Sequence, residues 1–465
     1  MPFTKNINNM KNVLFSLLTM TCIITANSCV DGGQEADQSN EVLPTAAQVA
    51  WAEAEVGAMF HLDVQVFEPD YKWRETRDYQ PDPSVFNPKD LDTDQWISTA
   101  KAGGANYAIL VAKHCSGFSL WPTKAHDYSV KSSPWRNGEG DIVRDFIESC
   151  KKYGVKPGLY ASASANAYYH VDNPGLVLSG DSAEQEIYNE VVKTQLTELW
   201  SEYGDLFEIW FDGGVLPPEK GGIDVHTLVN KYQPNTIAFQ GPFGYENNIR
   251  WVGNEDGVAP YPCWSRADST TTATGMIQIK GLNGNPDGAY WCPGEADFAL
   301  RQHAFQGGWF WHEGEEDKIR SLDNLMARYV ESVGRNTNLL LGVVIDDRGL
   351  IPAADSIRIV EFGKEVERKF SNSLAYGSAK GPSLSLEFSQ VQPVNYVVIE
   401  EDISKGERIR EYSLYGMKDG NWELVSEGSS VGNKRIEVVN GSSYSGVKME
   451  VTKMSAEPHF EINVY

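Results

Sequence analysis

Between Val56 and Ile345 the chain repeats one pattern: a short apolar or alternating run, then a longer amphipathic stretch. That is the mark of successive βα units, and it constrains the fold more than any other feature. The runs predict strands at Val56–Leu62, Tyr107–Lys113, Lys156–Ala161, Glu208–Phe211, Thr236–Phe239, Arg250–Gly253, Ala289–Cys292 and Asn338–Val344. Apolar residues at helical spacing predict helices over Ile142–Tyr153 and Glu184–Tyr203. The fold class is therefore α/β, a (β/α)8-type TIM barrel, expected over residues 45–354. A barrel of this kind takes about 250 residues or more, so a chain of 465 has room for a second domain.

After a predicted helix over Ala353–Phe370 the texture changes to short alternating segments. These are Ser383–Phe388, Val394–Glu400, Tyr412–Gly416, Trp422–Gly428, Lys434–Val439, Gly446–Thr452 and His459–Val464. Asp419-Gly420 and Asn440-Gly441 supply turn residues between them. A C-terminal β-sandwich is expected over residues 355–465.

The N-terminus reads as targeting. Lys5 and Lys11 precede an apolar run from Val13 to Ile24, too short for an ordinary spanning helix, and Ala26-Asn27-Ser28-Cys29 follows. A cysteine after small residues resembles a bacterial lipoprotein signal. The expectation is a signal peptide over 1–29, lipid anchorage through Cys29, a flexible tether over 30–44, and a location in the periplasm or at the cell surface. Setting aside Cys22 and Cys29, the remaining cysteines, Cys115, Cys150, Cys263 and Cys292, form no CxxC and no zinc-like spacing, so mostly free thiols and no metal are expected. A formal charge of −24 disfavours nucleic acid and anionic membranes as partners. No nucleotide loop or Gly-x-Ser-x-Gly elbow is present, and no cofactor is expected.

Barrel sites are assembled at the C-terminal ends of the strands, and the chemically capable residues lie there. His61, His114, Asp212, Glu255 and Glu295 each stand at or just past a different predicted strand. A pair of carboxyl groups suits glycoside hydrolysis, in which one protonates the departing oxygen and the other attacks the anomeric carbon or activates water. Asp212 ends the strand in Glu208-Ile209-Trp210-Phe211-Asp212-Gly213-Gly214, with Trp210 on the same side as a wall for a ligand. Glu255 closes Arg250-Trp251-Val252-Gly253-Asn254-Glu255, where Trp251 offers an apolar wall that helps an acid keep its proton. Singly, a strand-end Asp more often caps the next helix, a loop Glu is more often solvated, and a histidine is more often a satisfied core residue. The argument rests on their coincidence.

Longer motifs carry a family resemblance. Pro83-Ser84-Val85-Phe86-Asn87-Pro88, Ala112-Lys113-His114, Leu120-Trp121-Pro122, Trp210-Phe211-Asp212-Gly213, Trp251-Val252-Gly253-Asn254-Glu255 and Gly308-Trp309-Phe310 resemble, in order, the α-L-fucosidases of glycoside hydrolase family 29. The likeness runs from about Ala46 to Pro352 and looks closest to the branch acting on α-1,3/1,4-linked fucose. It implies an exo-acting, retaining double displacement on an oligosaccharide or glycoconjugate, with Asp212 as nucleophile and Glu255 as acid/base. His61 and His114 match fucose-binding histidines. Tyr160, Trp210, Glu295 and Trp309 stand where the family lines its pocket, and Glu295 is a second candidate for the acid. The tail resembles a discoidin-like sandwich.

The chain departs from the family at Lys113-His114-Cys115-Ser116-Gly117-Phe118, where Lys-His-His-Asp-Gly-Phe is usual. It departs again at Tyr160-Ala161-Ser162-Ala163-Ser164, where Tyr-x-Ser-Pro-Trp is usual. A lost hydrogen-bond donor at a site that reads hydroxyls changes specificity strongly. A glycosidase for another L-sugar, such as α-L-galactose, and a non-catalytic glycan-binding protein are the alternatives.

Overall fold

The computed structural model describes residues 41–76, 78–272 and 276–465. The expected signal segment with Cys29, and the tether as far as residue 40, lie outside these residues. Eight parallel strands close into a barrel in sequence order. They are β1 (Val56–His61), β2 (Tyr107–Lys113), β3 (Lys156–Ala161), β4 (Glu208–Trp210), β5 (Ile237–Phe239), β6 (Asn248–Trp251), β7 (Gly294–Ala299) and β8 (Thr337–Val344). Seven coincide with the expected runs. The exception is β7: the apolar run at 289–292 instead contributes Tyr290–Trp291 to a small antiparallel sheet, and the barrel strand begins two residues later.

Alternation along each strand sorts the side chains into two layers. Ile209 and Phe211 pack outward in the cluster that lies under the helices. Trp210 packs inward with Tyr107, Tyr160 and Phe239. Six helices surround the strands: Thr93–Ala102, Ile142–Tyr153, Ser182–Ser201, Val225–Tyr232, Leu322–Ser332 and Ala353–Phe370. Four of them start on an aspartate, Asp92, Asp141, Asp181 or Asp224, whose carboxylate accepts from free backbone N–H groups of the first turn. Ile359 and Phe362 of the last helix belong to the barrel's outer core, so this domain extends to Phe370 rather than ending at 354.

A short helix, Ala46–Ala52, seals the N-terminal end of the barrel. Thr45 and Gln48 form its capping box, and Gln48 Nε2 also donates to the carbonyls of Glu246, Asn248 and Trp291. Two crossovers lack a helix among the described residues. From β5 to β6 the chain uses residues 240–247 alone. From β6 to β7 it inserts a three-stranded sheet of Arg266–Thr271, Ile277–Lys280 and Tyr290–Trp291.

The C-terminal domain is one six-stranded antiparallel sheet. Pairs of runs expected as separate strands are continuous: Ser383–Glu401 and Arg435–Met454 pair along their length across register shifts. Asp419-Gly420 is a hairpin turn, but Asn440-Gly441, with φ of 59° and 75°, lies within the second long strand near one of those irregularities. The sheet bends around its own core of residues such as Val397, Leu414, Met449 and Ile462. It is fastened to the inserted sheet of the barrel. The Glu407 carboxylate accepts from Ser265 N at 2.9 and 3.0 Å, Arg410 Nη2 donates to Pro286 O at 2.9 Å, and Arg435 lies 4.0 Å over the Tyr261 ring.

Candidate active site

Strand β4 sets the frame. Glu208, Trp210 and Asp212 share its inward side at rising height, so Asp212 emerges at the C-terminal mouth. Gly213 and Gly214, with φ of 75° and 81°, turn the chain sharply there. A Cβ on Gly213 would lie 2.3 Å from Asn173 Nδ2 and 2.9 Å from Ser164 Oγ, so a larger residue would have to displace both while holding a left-handed φ. Asp212 Oδ2 accepts from Tyr160 OH at 3.0 Å, and its backbone carbonyl accepts from Ser164 Oγ. Burial raises the Asp212 pKa. The Tyr160 hydrogen bond, the Arg74 charge and the Cys115 contact oppose that shift and favour the carboxylate.

From Asp212 a chain of contacts runs around the mouth to Glu255. Tyr160 stacks with His114 at 6.0 Å between ring centroids, and His114 meets Phe310 edge-on at 5.0 Å. Phe310 meets His61 at 5.3 Å, His61 lies 5.0 Å from Trp309, and Trp309 Nε1 donates to Glu255 Oε2 at 3.1 Å. Glu255 is exposed. Trp251, expected as its wall, instead turns its N–H to Asp297 Oδ1 at 2.6 Å. Asp297 is a site residue that the motif reading missed. It is buried, its pKa is driven well up by burial, and the Glu255 charge adds to the shift. Once β7 is placed at 294–299, alternation puts Glu295 and Asp297 on its inner side, which is the signal that was available.

Burial holds both histidines neutral, His61 down to about 3 and His114 to about 4. Each has a buried Nδ1 without a hydrogen-bond partner. Neutral imidazoles suit an uncharged polyol better than an anion.

Glu295 is not at the mouth. It is fully buried below Trp210, where its carboxylate accepts from Tyr107 OH at 2.7 Å and from Trp210 Nε1 at 3.0 Å. Its neighbour is Glu208, which accepts from Trp51 Nε1 at 2.8 Å. Burial raises both carboxyls; the Glu295 charge raises Glu208 further, whereas hydrogen bonds from Tyr107, Trp210 and Glu208 oppose the rise at Glu295, so the proton that removes one charge sits on Glu208. This enclosed pair has no route to a glycosidic oxygen. Glu295 is thus a support beneath Trp210. Trp210 itself is floor: it stacks on Tyr160 at 5.3 Å and on Phe239 at 3.9 Å.

The departures from the family motif mostly serve the backbone. Ser116 is fully buried, donates to Asp63 Oδ1 at 2.8 Å and accepts from Phe118 N. Ser164, also buried, holds the Asp212 carbonyl. Cys115 alone reaches the Asp212 carboxylate, with Sγ 3.9 Å from Asp212 Oδ2, and burial and the Asp212 charge raise its pKa far above the usual thiol range. His114, Cys115 and Asp212 bring their donor atoms within 4.8 Å of one another. The set holds a neutral thiol and a carboxylate oxygen already bonded to Tyr160, chemistry that fits a sugar-binding corner better than a metal. Cys115, Cys150, Cys263 and Cys292 are all free and buried.

A closed parallel barrel with paired carboxyl groups among aromatic rings and neutral histidines at its mouth has the architecture of a barrel glycoside hydrolase. The family model for α-L-fucosidase matches residues 44–369, and the chain belongs to that family. α-L-Fucosidase 1 of Arabidopsis thaliana is 33% identical over 463 residues, spanning 90% of this chain and 86% of the plant protein. A crystal structure of a Bacteroides thetaiotaomicron protein, provisionally assigned as an α-L-fucosidase, superposes with a TM-score of 0.84 at 38% identity, covering 91% of this chain and 99% of that one. A glycoside hydrolase 29 family member from an unknown rumen bacterium gives 0.77 at 28% identity, covering 91% and 77%.

Proposed function

We propose that this protein releases terminal α-L-fucosyl residues, from α-1,3- or α-1,4-linked glycans, by a retaining double displacement. The observation that carries the reading is the unbroken contact path from Asp212 through Tyr160, His114, Phe310, His61 and Trp309 to Glu255. In the first step the Asp212 carboxylate attacks the anomeric carbon while Glu255 passes its proton to the departing oxygen. In the second, Glu255 takes a proton from water, the oxygen of that water attacks the same carbon, and Asp212 leaves. His61 and His114, both neutral, hydrogen-bond the sugar hydroxyls. Tyr160 orients Asp212, and Trp309 places Glu255.

The test is product identity and anomeric configuration. The wild type and Asp212→Asn are incubated with an aryl α-L-fucoside, an aryl α-L-galactoside and a Lewis-type trisaccharide, and the first-formed sugar is followed by proton NMR. α-Fucose from the wild type, absent with the variant, is expected. First-formed β-fucose overturns retention, L-galactose overturns the sugar assignment, and binding without turnover leaves a glycan-binding protein. We also propose export and anchorage through Cys29. Partition into the membrane fraction, lost on Cys29→Ala, is the expected result, and an unchanged partition overturns it.

A further inference from the structure

The step from β5 to β6 forms no helix, and the inserted sheet of residues 266–291 folds over the gap. A cavity of about 910 Å3 lies there. Gly213 and Gly214, directly after Asp212, form one wall, and Trp251 and Gly253, just ahead of Glu255, form another. The cavity therefore begins beside both carboxyl-bearing loops. If Glu255 protonates the glycosidic oxygen, the group on that oxygen must lie along the loop that carries Glu255, away from the ring of residues that holds the sugar.

On the reading given under Proposed function, we propose that this cavity is the leaving-group site, and that it takes an uncharged aglycone with an extended apolar face, aryl or alkyl-bearing, in preference to a sulfated or carboxylated saccharide. Phe243, Ile277 and Leu282 line it and are 41%, 49% and 53% exposed. Three large apolar side chains exposed around one cavity mark a place where a ligand lies. Leu282 also reaches the catalytic loop: a Cβ on Gly253 would come within 2.2 Å of Leu282 Cδ2. The lining carboxylates, Glu219 and Asp224, repel an anion. The one arginine among the lining residues, Arg250, is buried, and its guanidinium donates to the carbonyls of Gly281, Cys292 and Trp264. A volume near the upper end of the roughly 300–1,000 Å3 typical of ligand pockets admits a group much larger than one ring.

The experiment compares wild type, Ile277→Asp and Phe243→Asp on three substrates: α-L-fucosyl fluoride, an aryl α-L-fucoside carrying an alkyl chain, and the same aryl fucoside carrying a sulfate. The fluoride leaves as a single ion and reads the sugar site and the chemistry alone. Both positions are exposed, so the fold tolerates the change. Each variant is expected to lose about tenfold in kcat/KM on the alkyl-aryl fucoside, mostly through KM, with fluoride turnover unchanged. The wild type is expected to prefer the alkyl-aryl over the sulfated substrate. Equal losses on fluoride and aryl fucoside, unchanged kinetics on the aryl fucoside, or a preference for the sulfated one would each overturn the proposal. Failure of the wild type to hydrolyse fucosyl fluoride would instead remove the fucosidase reading on which it rests.

Discussion

The barrel holds carboxyl groups at two heights, and the two sets are treated in opposite ways. On the floor, Glu208 and Glu295 are closed in by Trp51, Tyr107 and Trp210, each of which donates to one of them. At the mouth, Asp212 keeps one oxygen outside the Tyr160 hydrogen bond, Glu255 is exposed, and the neighbouring histidines have unpaired nitrogens. Strand β4 contributes to both sets, Glu208 at its base and Asp212 just past its top, four residues apart on one side of the strand. Residue type therefore does not separate structural from chemical carboxylates here. The separation comes from access: Glu208 and Glu295 are fully buried, whereas Asp212 is partly open and Glu255 is exposed.

Mutations should break this contrast in a fixed order. Asp212→Asn should abolish turnover of every fucoside by at least about 10^3-fold while leaving the melting temperature unchanged or higher, because an amide is cheaper to bury than a carboxylate. Rates and calorimetry together check this. Glu255→Gln should cost about 10^2 to 10^4-fold on substrates with poor leaving groups and far less on fucosyl fluoride, whose departure needs no proton. Similar losses on both would argue that Glu255 is not the acid. His61→Phe should lower kcat/KM by roughly ten- to a hundredfold, about the worth of one hydrogen bond in a desolvated site.

The floor should answer in the other currency. Glu295→Ala strands the Tyr107 and Trp210 donors and opens a void, and should lower stability by about 2–4 kcal/mol. Glu295→Gln, whose amide can donate to Glu208 in place of the shared proton, should change kcat/KM less than about threefold. A catalytic loss in Glu295→Gln as large as that in Glu255→Gln would erase the contrast. A pH-dependent effect is expected at Asp63, which burial raises from its ordinary value of 3.8 to about 7. Between those values the native state holds a proton that the unfolded chain has lost, so stability falls as pH rises from about 4 to about 7. Asp63→Asn should flatten that slope and leave the protein more stable at pH 8, by no more than about 4 kcal/mol. Denaturant midpoints at pH 5 and pH 8 read it.

Most of the barrel was legible because a βα repeat writes its period into the chain. Seven strands and the helices Ile142–Tyr153 and Ala353–Phe370 fall where alternation and helical spacing put them. The seventh strand was misplaced because Ala289–Cys292 is apolar on its own account, in the inserted sheet, whereas Gly294–Ala299 carries two acids and looks like a loop. Burying those acids requires partners from other strands, Tyr107 and Trp210 for Glu295 and Trp251 for Asp297, which no local window contains. The same limit explains Glu295: its motif matched, but motif position says nothing of depth. In the C-terminal domain, Asn440-Gly441 has the chemistry of a turn, yet pairing on both sides carries the strand through it.

The bonds from Glu407 and Arg410 to the inserted sheet give the C-terminal domain a job that needs no ligand of its own. It braces a wall that carries none of the reacting groups. A lineage that reshapes residues 266–291 can retune which conjugates are trimmed while the barrel's chemistry stays intact, and substitutions in the distant sheet would surface first as altered selectivity, with turnover of the simplest substrates spared. Grafting that insertion together with its brace is accordingly the natural unit of exchange for anyone re-engineering the enzyme.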